Sequence, residues 1–425
     1  MFTIYSKNAR RDCEGNTRRD FLKVGAIGGS LFTLPNLLRA KAATPSTVNN
    51  KSVIWIWLAG GPTHVETFDP KMTAPSEYRS ITGEAKTPIP GVTMGGTFPQ
   101  IAACGDKMAL VRSFAHGNSS HGNATKWVMT GYDDRDGTRP SIGSIAARQY
   151  GTTHPTTGIP TYVRMSRING DGPGWLGTGY SPFDPNGQAV KNMKISVTDD
   201  RFTDRRSLLN SLDQINRAAD GSGKMQGIDA FEQQAFELIT GTSRDAFDIN
   251  KADPAARKRY GKGLGESLLR ARRLCESGCA FVTVSYGGWD MHGGIVKGLK
   301  GRAQQMDQAI SALIEDLDQR GMMDDTLVVV TGEFGRTPKI NSKGGRDHWG
   351  RLCTLALAGG GLKMGQVIGE SSRKLEVPAT TPIRPQDLMA TILQMYGLDH
   401  RMQFVNNQGR PVYLVENGSP ISELA

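Results

Sequence analysis

The chain has 425 residues, 38% of them hydrophobic and 22% charged, which is enough for one large domain or two modest ones. Its formal charge is +10, but the first 42 residues hold eight Lys/Arg and three Asp/Glu, so the remainder carries +5. That balance is too mild and too evenly spread to argue for nucleic acid as a partner, and it suits an anionic small-molecule or glycan substrate.

The chain opens with Thr17-Arg18-Arg19-Asp20-Phe21-Leu22-Lys23, followed by a moderately apolar run from Val24 to Leu38 and by Ala40-Lys41-Ala42. Paired arginines, a short apolar segment and a small-x-small cleavage pattern predict a twin-arginine signal peptide over residues 1–42. The run is too short to span a bilayer comfortably, and Gly25, Gly28, Gly29 and Pro35 interrupt it. No Cys follows the small residues, so no lipid anchor is expected there. The expectation is a periplasmic or otherwise exported protein. It would meet the twin-arginine translocase once and keep no stable membrane span after cleavage.

Residues 43–51 read as a linker, and 52–425 as a single domain. Ser52-Val53-Ile54-Trp55-Ile56-Trp57-Leu58 is apolar on both faces and breaks at Ala59-Gly60-Gly61-Pro62, which predicts a buried parallel strand. A second strand is expected at 109–114 and a helix at 141–150, capped by Ser141. Residues 165–228 are polar and rich in Gly, Asp, Asn and Ser, and read as a loop-rich lid or cap insertion. Helices are expected at 229–240 and 254–276, a strand at 280–286, and a helix at 301–319 with Met306, Ile310, Leu313, Ile314 and Leu317 on one face. Strands at 327–330 and 352–358 and a helix at 384–396 complete the chain. This rhythm predicts an α/β fold whose mainly parallel central sheet is flanked by helices on both faces.

Ligands of such sheets bind beyond the carboxyl ends of the strands. His64, Glu66 and Asp69 follow the first predicted strand; His116, Ser119, Ser120 and His121 follow the second. Asp290 and His292 follow strand 280–286, and Glu333 and Arg336 follow strand 327–330. Arg346, Asp347 and His348 precede strand 352–358. Five of the seven histidines therefore adjoin predicted strand ends. Carboxylates and imidazoles in one place are the donors of a divalent metal: zinc, manganese or calcium. The candidate ligands at this edge are Asp290, His292, Glu333, Asp347 and His348, and Glu66 and Asp69 follow the first strand at the same edge. Arg336 or Arg346 would clamp an anion, and His121 or Ser120 would handle proton transfer or attack.

Cys104, Cys275, Cys279 and Cys353 are too few for a disulfide scaffold, and Cys275 and Cys279 lack two further ligands nearby. They read as structural thiols. Gly60-Gly61 and Gly359-Gly360-Gly361 match no nucleotide fingerprint, and no Gly-x-Ser-x-Gly elbow is present.

Five segments carry a resemblance. They are Trp57-Leu58-Ala59-Gly60-Gly61-Pro62-Thr63-His64, Thr67-Phe68-Asp69-Pro70-Lys71, Trp289-Asp290-Met291-His292, Gly332-Glu333-Phe334-Gly335-Arg336-Thr337-Pro338 and Gly345-Arg346-Asp347-His348-Trp349. Together they resemble the exported bacterial family called domain of unknown function 1501, of the alkaline-phosphatase and sulfatase superfamily. The resemblance spans essentially the whole chain after the leader. It implies an alkaline-phosphatase-like fold, one or two metals, and hydrolysis of phosphate or sulfate esters. Asp290 and His292 resemble the superfamily's metal-binding Asp-His pair, and His348 its third metal histidine; a competing alignment makes Asp347-His348 the pair. Thr331-Gly332-Glu333-Phe334-Gly335 resembles a strand-terminal Thr-x-Asp-His-Gly motif, with Glu333 for the aspartate and Phe334 for the histidine. Gly60-Gly61 stands where a metal-binding aspartate is usual, and Ser113, Ser119 and Ser120 compete for the nucleophile position. These departures imply a second possibility, a catalytically degenerate member binding an anionic glycan or a partner protein in the cell envelope.

Overall fold

The computed structural model describes residues 50–133, 138–185 and 244–425. The signal peptide, most of the linker, the 186–228 part of the insertion and the helix expected at 229–240 lie outside the described residues. The described residues belong to one compact unit. Among the described residues no helix is long and apolar enough to cross a membrane.

Seven strands make the central sheet: β1 Ser52–Trp57, β2 Met108–Val111, β3 Tyr162–Arg164, β4 Phe281–Ser285, β5 Thr326–Thr331, β6 Leu355–Gly359 and β7 Gln366–Ile368. Their order is β7-β2-β6-β5-β1-β4-β3. β1 lies between β4 and β5, parallel to both, with Trp55 opposite Thr283 on one side and Val329 on the other. β6 alone is antiparallel to its neighbours, pairing Leu355 with Thr331 and Ala356 with Leu110. The reason lies in the segment between Arg336 and Leu352. It contains no helical apolar period and forms only a small hairpin, Gly335–Arg336 against His348–Trp349, so the chain turns back instead of crossing over.

The helices that cover the sheet include α1 Pro99–Ala103, α2 His121–Thr130, α3 Ile142–Tyr150, α4 Pro254–Tyr260, α5 Leu264–Glu276, α6 Arg302–Gln319 and α7 Pro385–Met395. Alternate residues of each central strand face opposite layers. Ile54, Ile56, Val282, Val284, Val328 and Val330 pack with α1, α4, α5 and α6. Val53, Trp55, Trp57, Leu327 and Val329 pack with α2, α3 and α7. Each such fully buried side chain contributes roughly 1.5–3 kcal/mol, which is why strands buried on both faces read as continuous apolar runs. The predicted α/β architecture is therefore found. The single helix expected over 254–276 is split where Gly261 and Gly263 take φ of 78° and 64°. Ser141 caps α3 by accepting the Ser144 amide, as expected. The described part of the insertion, up to residue 185, is loop with two short 3-10 turns, Gly174–Leu176 and Thr178–Tyr180. All four described cysteines are buried free thiols, and burial raises the pKa of each.

His64 is part of this framework. It is fully buried, and its Nε2–H donates to the Leu375 carbonyl at 3.2 Å. Burial pushes its pKa down to about 3; the Leu375 bond opposes this, and Arg346 adds to it. Folding thus holds neutral an imidazole that titrates near 6.5 when unfolded, so stability is lost as pH falls from 6.5 towards 3. At pH 5 His64 alone makes stability change by about 1.4 kcal/mol per pH unit. Denaturant titrations of His64→Gln are expected to show a pH slope smaller by that amount at pH 5. An unchanged slope would refute this assignment.

Candidate metal centre

Five adjacent strands deliver groups to one edge. β1, β2, β4 and β5 end there, and the antiparallel β6 begins there. This is why His348, which precedes its strand, meets Asp290 and His292, which follow theirs. Gly60 and Gly61, just past β1, have φ of 113° and 74°. A Cβ on Gly60 would lie 2.6 Å from the Asp290 amide nitrogen, and one on Gly61 would lie 2.3 Å from the Phe334 ring. The two glycines let three loops close upon one another.

Three atoms form the heart of the cluster. His292 Nε2 is 3.1 Å from His348 Nε2 and 3.0 Å from Asp290 Oδ1, and His348 Nε2 is 3.1 Å from the same oxygen. His121 stands beside them, its Nε2 3.7 Å from Asp290 Oδ2. His121, Asp290 and His348 each offer a ligand atom within 4.8 Å of the others.

What lies behind each ring decides its tautomer. His292 Nδ1 is 2.6 Å from Asp347 Oδ1, His348 Nδ1 is 3.1 Å from the Ser119 carbonyl, and His121 Nδ1 is 2.7 Å from Glu333 Oε1. All three partners can only accept, so each Nδ1 carries the proton and a neutral ring presents a bare Nε2 lone pair. Three such nitrogens and a carboxylate facing one space repel each other unless a cation or a proton sits among them. Metal–ligand bonds of about 2.0–2.1 Å imply ligand edges of roughly 2.9 Å in an octahedron and 3.3 Å in a tetrahedron. The observed 3.0–3.1 Å edges fall inside that interval, so the residues fit a divalent ion.

The surrounding charges agree. Burial works against ionised Asp290, but the hydrogen bond and charge of Arg336 outweigh it and hold the pKa at about 2. His348 is pushed below the usual imidazole range, chiefly by burial. Asp347 is held low, first by its bond to His292. The Phe334 ring packs 4.5 Å from the His348 ring and 4.8 Å from that of His121, backing both with an apolar wall.

The sequence matches the family model described as a protein of unknown function, DUF1501, over residues 50–425. The chain belongs to the DUF1501 family. No curated protein matches its sequence. Solved structures to which the DUF1501 chain is similar include a sulfatase from Pseudoalteromonas sp., at 12% identity and TM-score 0.39 over 90% of this chain and 72% of that one. A second is the TAB5 alkaline phosphatase, at 15% identity and TM-score 0.37 over 82% of this chain and 98% of that one. A third is a phosphonate monoester hydrolase from Silicibacter pomeroyi, at 14% identity and TM-score 0.32 over 82% of this chain and 73% of that one.

In this DUF1501 protein the residues singled out from sequence divide into three groups. Asp290, His292 and His348 come together, with His121 alongside. Glu333 and Asp347, expected as ligands, instead hold the outer nitrogens of His121 and His292. Glu333 Oε1 also accepts the Gly60 amide at 2.8 Å, and its Oε2 is sealed in protein.

The third group lies elsewhere, and four assignments are corrected. Glu66 is fully buried, with Oε1 on Arg346 Nη2 at 2.9 Å and Oε2 on Arg346 Nε at 3.1 Å and on Thr63 Oγ1 at 2.6 Å, so it has no oxygen for an ion. Asp69 is buried beside Arg112, Oδ1 3.4 Å from its Nε. Arg346, expected to clamp an anion, is fully buried and spends its donors on Glu66 and on the carbonyls of Thr337, Pro338, Tyr78 and Arg79. Arg336 is also buried. It donates to the carbonyls of Gly60, Gly61 and Arg346 and to Asp290 Oδ1, tying three loops together beneath the cluster.

Of the serines, Ser113 is buried. Ser119 Oγ accepts the Gly350 amide at 2.9 Å, and exposed Ser120 occupies the N-cap of α2 without a side-chain cap bond. Sequence reasoning missed the Ser119 carbonyl as the anchor of His348, because a backbone group leaves no trace in residue type. It also missed α2, whose Ala124, Val128 and left-handed terminal Gly131 were readable signals.

Proposed function

We propose that this protein is an exported, metal-dependent hydrolase of phosphate or sulfate esters. The observation that carries the reading is the set of three bare Nε2 atoms and one carboxylate around a single space, each imidazole anchored from behind. Asp290, His292 and His348 would hold the ion. Two imidazoles in the donor set favour zinc or manganese over calcium, which takes oxygen ligands. A divalent ion there would supply Lewis acidity, polarising the ester oxygen and making water easier to deprotonate.

The chain's own residues account for the rest. Asp290 and the two imidazoles orient the reacting group, and Arg336 keeps Asp290 ionised and in place. His121 sits farther out, and Glu333 sets its tautomer, so its Nε2 can take a proton from water or return one to the leaving oxygen. The amides of His121, Gly122 and Asn123 have no partner among the described residues at the uncapped start of α2, which suits a phosphoryl or sulfuryl oxygen. Phe334 excludes water from one side. The exported location rests on the twin-arginine motif at residues 17–23.

Elemental analysis of the purified protein is expected to find one zinc or manganese per chain, and that protein is expected to hydrolyse 4-nitrophenyl phosphate or sulfate. His121→Asn should keep the metal and lose about 10²–10⁴-fold in kcat, the range of a lost proton-transfer group. Stoichiometric metal without turnover of either ester would favour the degenerate, ligand-binding alternative. Absence of metal would overturn the proposal.

A further inference from the structure

The segment that carries His121 is fastened to the segment that carries His348 by bonds that touch neither imidazole's ligating nitrogen. His116 N and Gly117 N donate to the Gly350 carbonyl at 3.2 and 2.8 Å. Gly350 N donates back to Ser119 Oγ at 2.9 Å. His116 itself is spent on backbone: its Nε2–H donates to the Glu333 carbonyl at 2.7 Å, and its Nδ1 accepts the Asn118 amide at 3.1 Å. Asn118 Oδ1 in turn accepts the Ser120 amide at 2.9 Å, directly before α2. The His116 ring is held between Trp127, 5.3 Å away, and the edge of Phe114 at 6.4 Å. Gly350 is the seat of this contact, since a Cβ there would lie 2.2 Å from the Asn118 carbonyl oxygen.

Two consequences meet at the metal centre. The Ser119 carbonyl, which fixes the protonated nitrogen of His348, points correctly only while residues 116–120 lie on Gly350. The Glu333 carboxylate, which does the same for His121, belongs to the residue whose carbonyl His116 holds.

We infer that His116 and Gly350 form a latch that positions His348 for the cation and His121 beside it for proton transfer, His116 being a positioning residue and not a ligand. This rests on the reading of the cluster as a metal centre, but part of its test does not need the metal. In metal-free protein, ¹⁵N–¹H correlation spectra of the imidazoles are expected to show His348 as the Nδ1–H tautomer. His116→Ala and Gly350→Ala should each convert it to the Nε2–H form or to a mixture. Calorimetric titration with Zn²⁺ should show affinity weakened about 10–100-fold, the usual effect of losing an outer partner of a ligand. His116→Gln, whose amide can still donate to the Glu333 carbonyl, should recover most of both. Ser119→Ala, which removes one part-buried hydroxyl bond and leaves the carbonyl, should fall between wild type and Gly350→Ala.

A role confined to stability would lower the melting temperature and leave the tautomer and Zn²⁺ affinity unchanged. That result in the alanine variants, or in Gly350→Ala alone if His116→Ala does not fold, overturns the latch. If wild-type protein binds no Zn²⁺, the metal reading fails, and the tautomer spectra still decide the latch.

Discussion

His292→Ala combined with His348→Ala is expected to remove stoichiometric metal and to lower ester turnover by about 10³-fold or more, because metal polarisation is worth several kcal/mol of transition-state energy. The two Nε2 atoms lie 3.1 Å apart and share Asp290 Oδ1, so deleting both leaves one carboxylate already committed to Arg336. Asp290→Asn should also fail to retain the ion, since it removes the only formal negative charge among the three central donors. Asp347→Asn separates outer from inner roles. It weakens the anchor on His292 Nδ1 and should cost about 10–100-fold in metal affinity without changing the stoichiometry. The ligands bind metal only when deprotonated, so affinity should fall in acid. Metal content and kcat/KM measured across these four proteins check the set. Full metal in the double-alanine variant would remove the basis of the proposed centre.

Glu66→Ala is expected to cost about 3–5 kcal/mol of folding stability, the usual result of stranding one partner of a buried ion pair. Both side chains are fully buried, and Arg346 is joined to Glu66 by two parallel bonds. Removing the carboxylate leaves a fully buried guanidinium with only carbonyls around it. Replacing the pair together, as Glu66→Leu with Arg346→Met, should cost less than Glu66→Ala alone, because no charge is then left behind. The double-mutant cycle by denaturant unfolding tests this, and additive losses would contradict it. The effect should reach the candidate metal centre too, since the Arg346 carbonyl accepts Arg336 Nη1 at 3.1 Å and Arg336 carries Asp290.

The sheet was readable because strands such as 52–57 and 326–331 are apolar on both faces, a pattern local in the chain. The reversal of β6 was not, since strand direction depends on what the connection cannot form and not on the strand's own residues. The site was legible where chemistry-bearing residues sit directly at strand ends, as with Asp290, His292 and His348. It was misread where two carboxylates share one loop neighbourhood. Residue type does not say whether Glu66 faces an ion or a guanidinium; that depends on Arg346, 280 positions away. Glu333 and Asp347 were found in the right place with the wrong partner, since an acid beside a histidine serves equally as ligand or as anchor. The short edge strands β3 and β7 were invisible, three residues being too few to show a period.

The proposed ligands enter from the loop after β4 and from the loop before β6, and the proposed proton-transfer group from α2, so much of the chain must be in place before they face one another. A portion that stops before His348 lacks part of the set, and the set would close only once β6 has docked against β2 and β5. Metal uptake would therefore report completion of folding, and whichever compartment folds the chain would also choose its metal. Ion identity would then reflect supply at that moment as much as the preference of the donors.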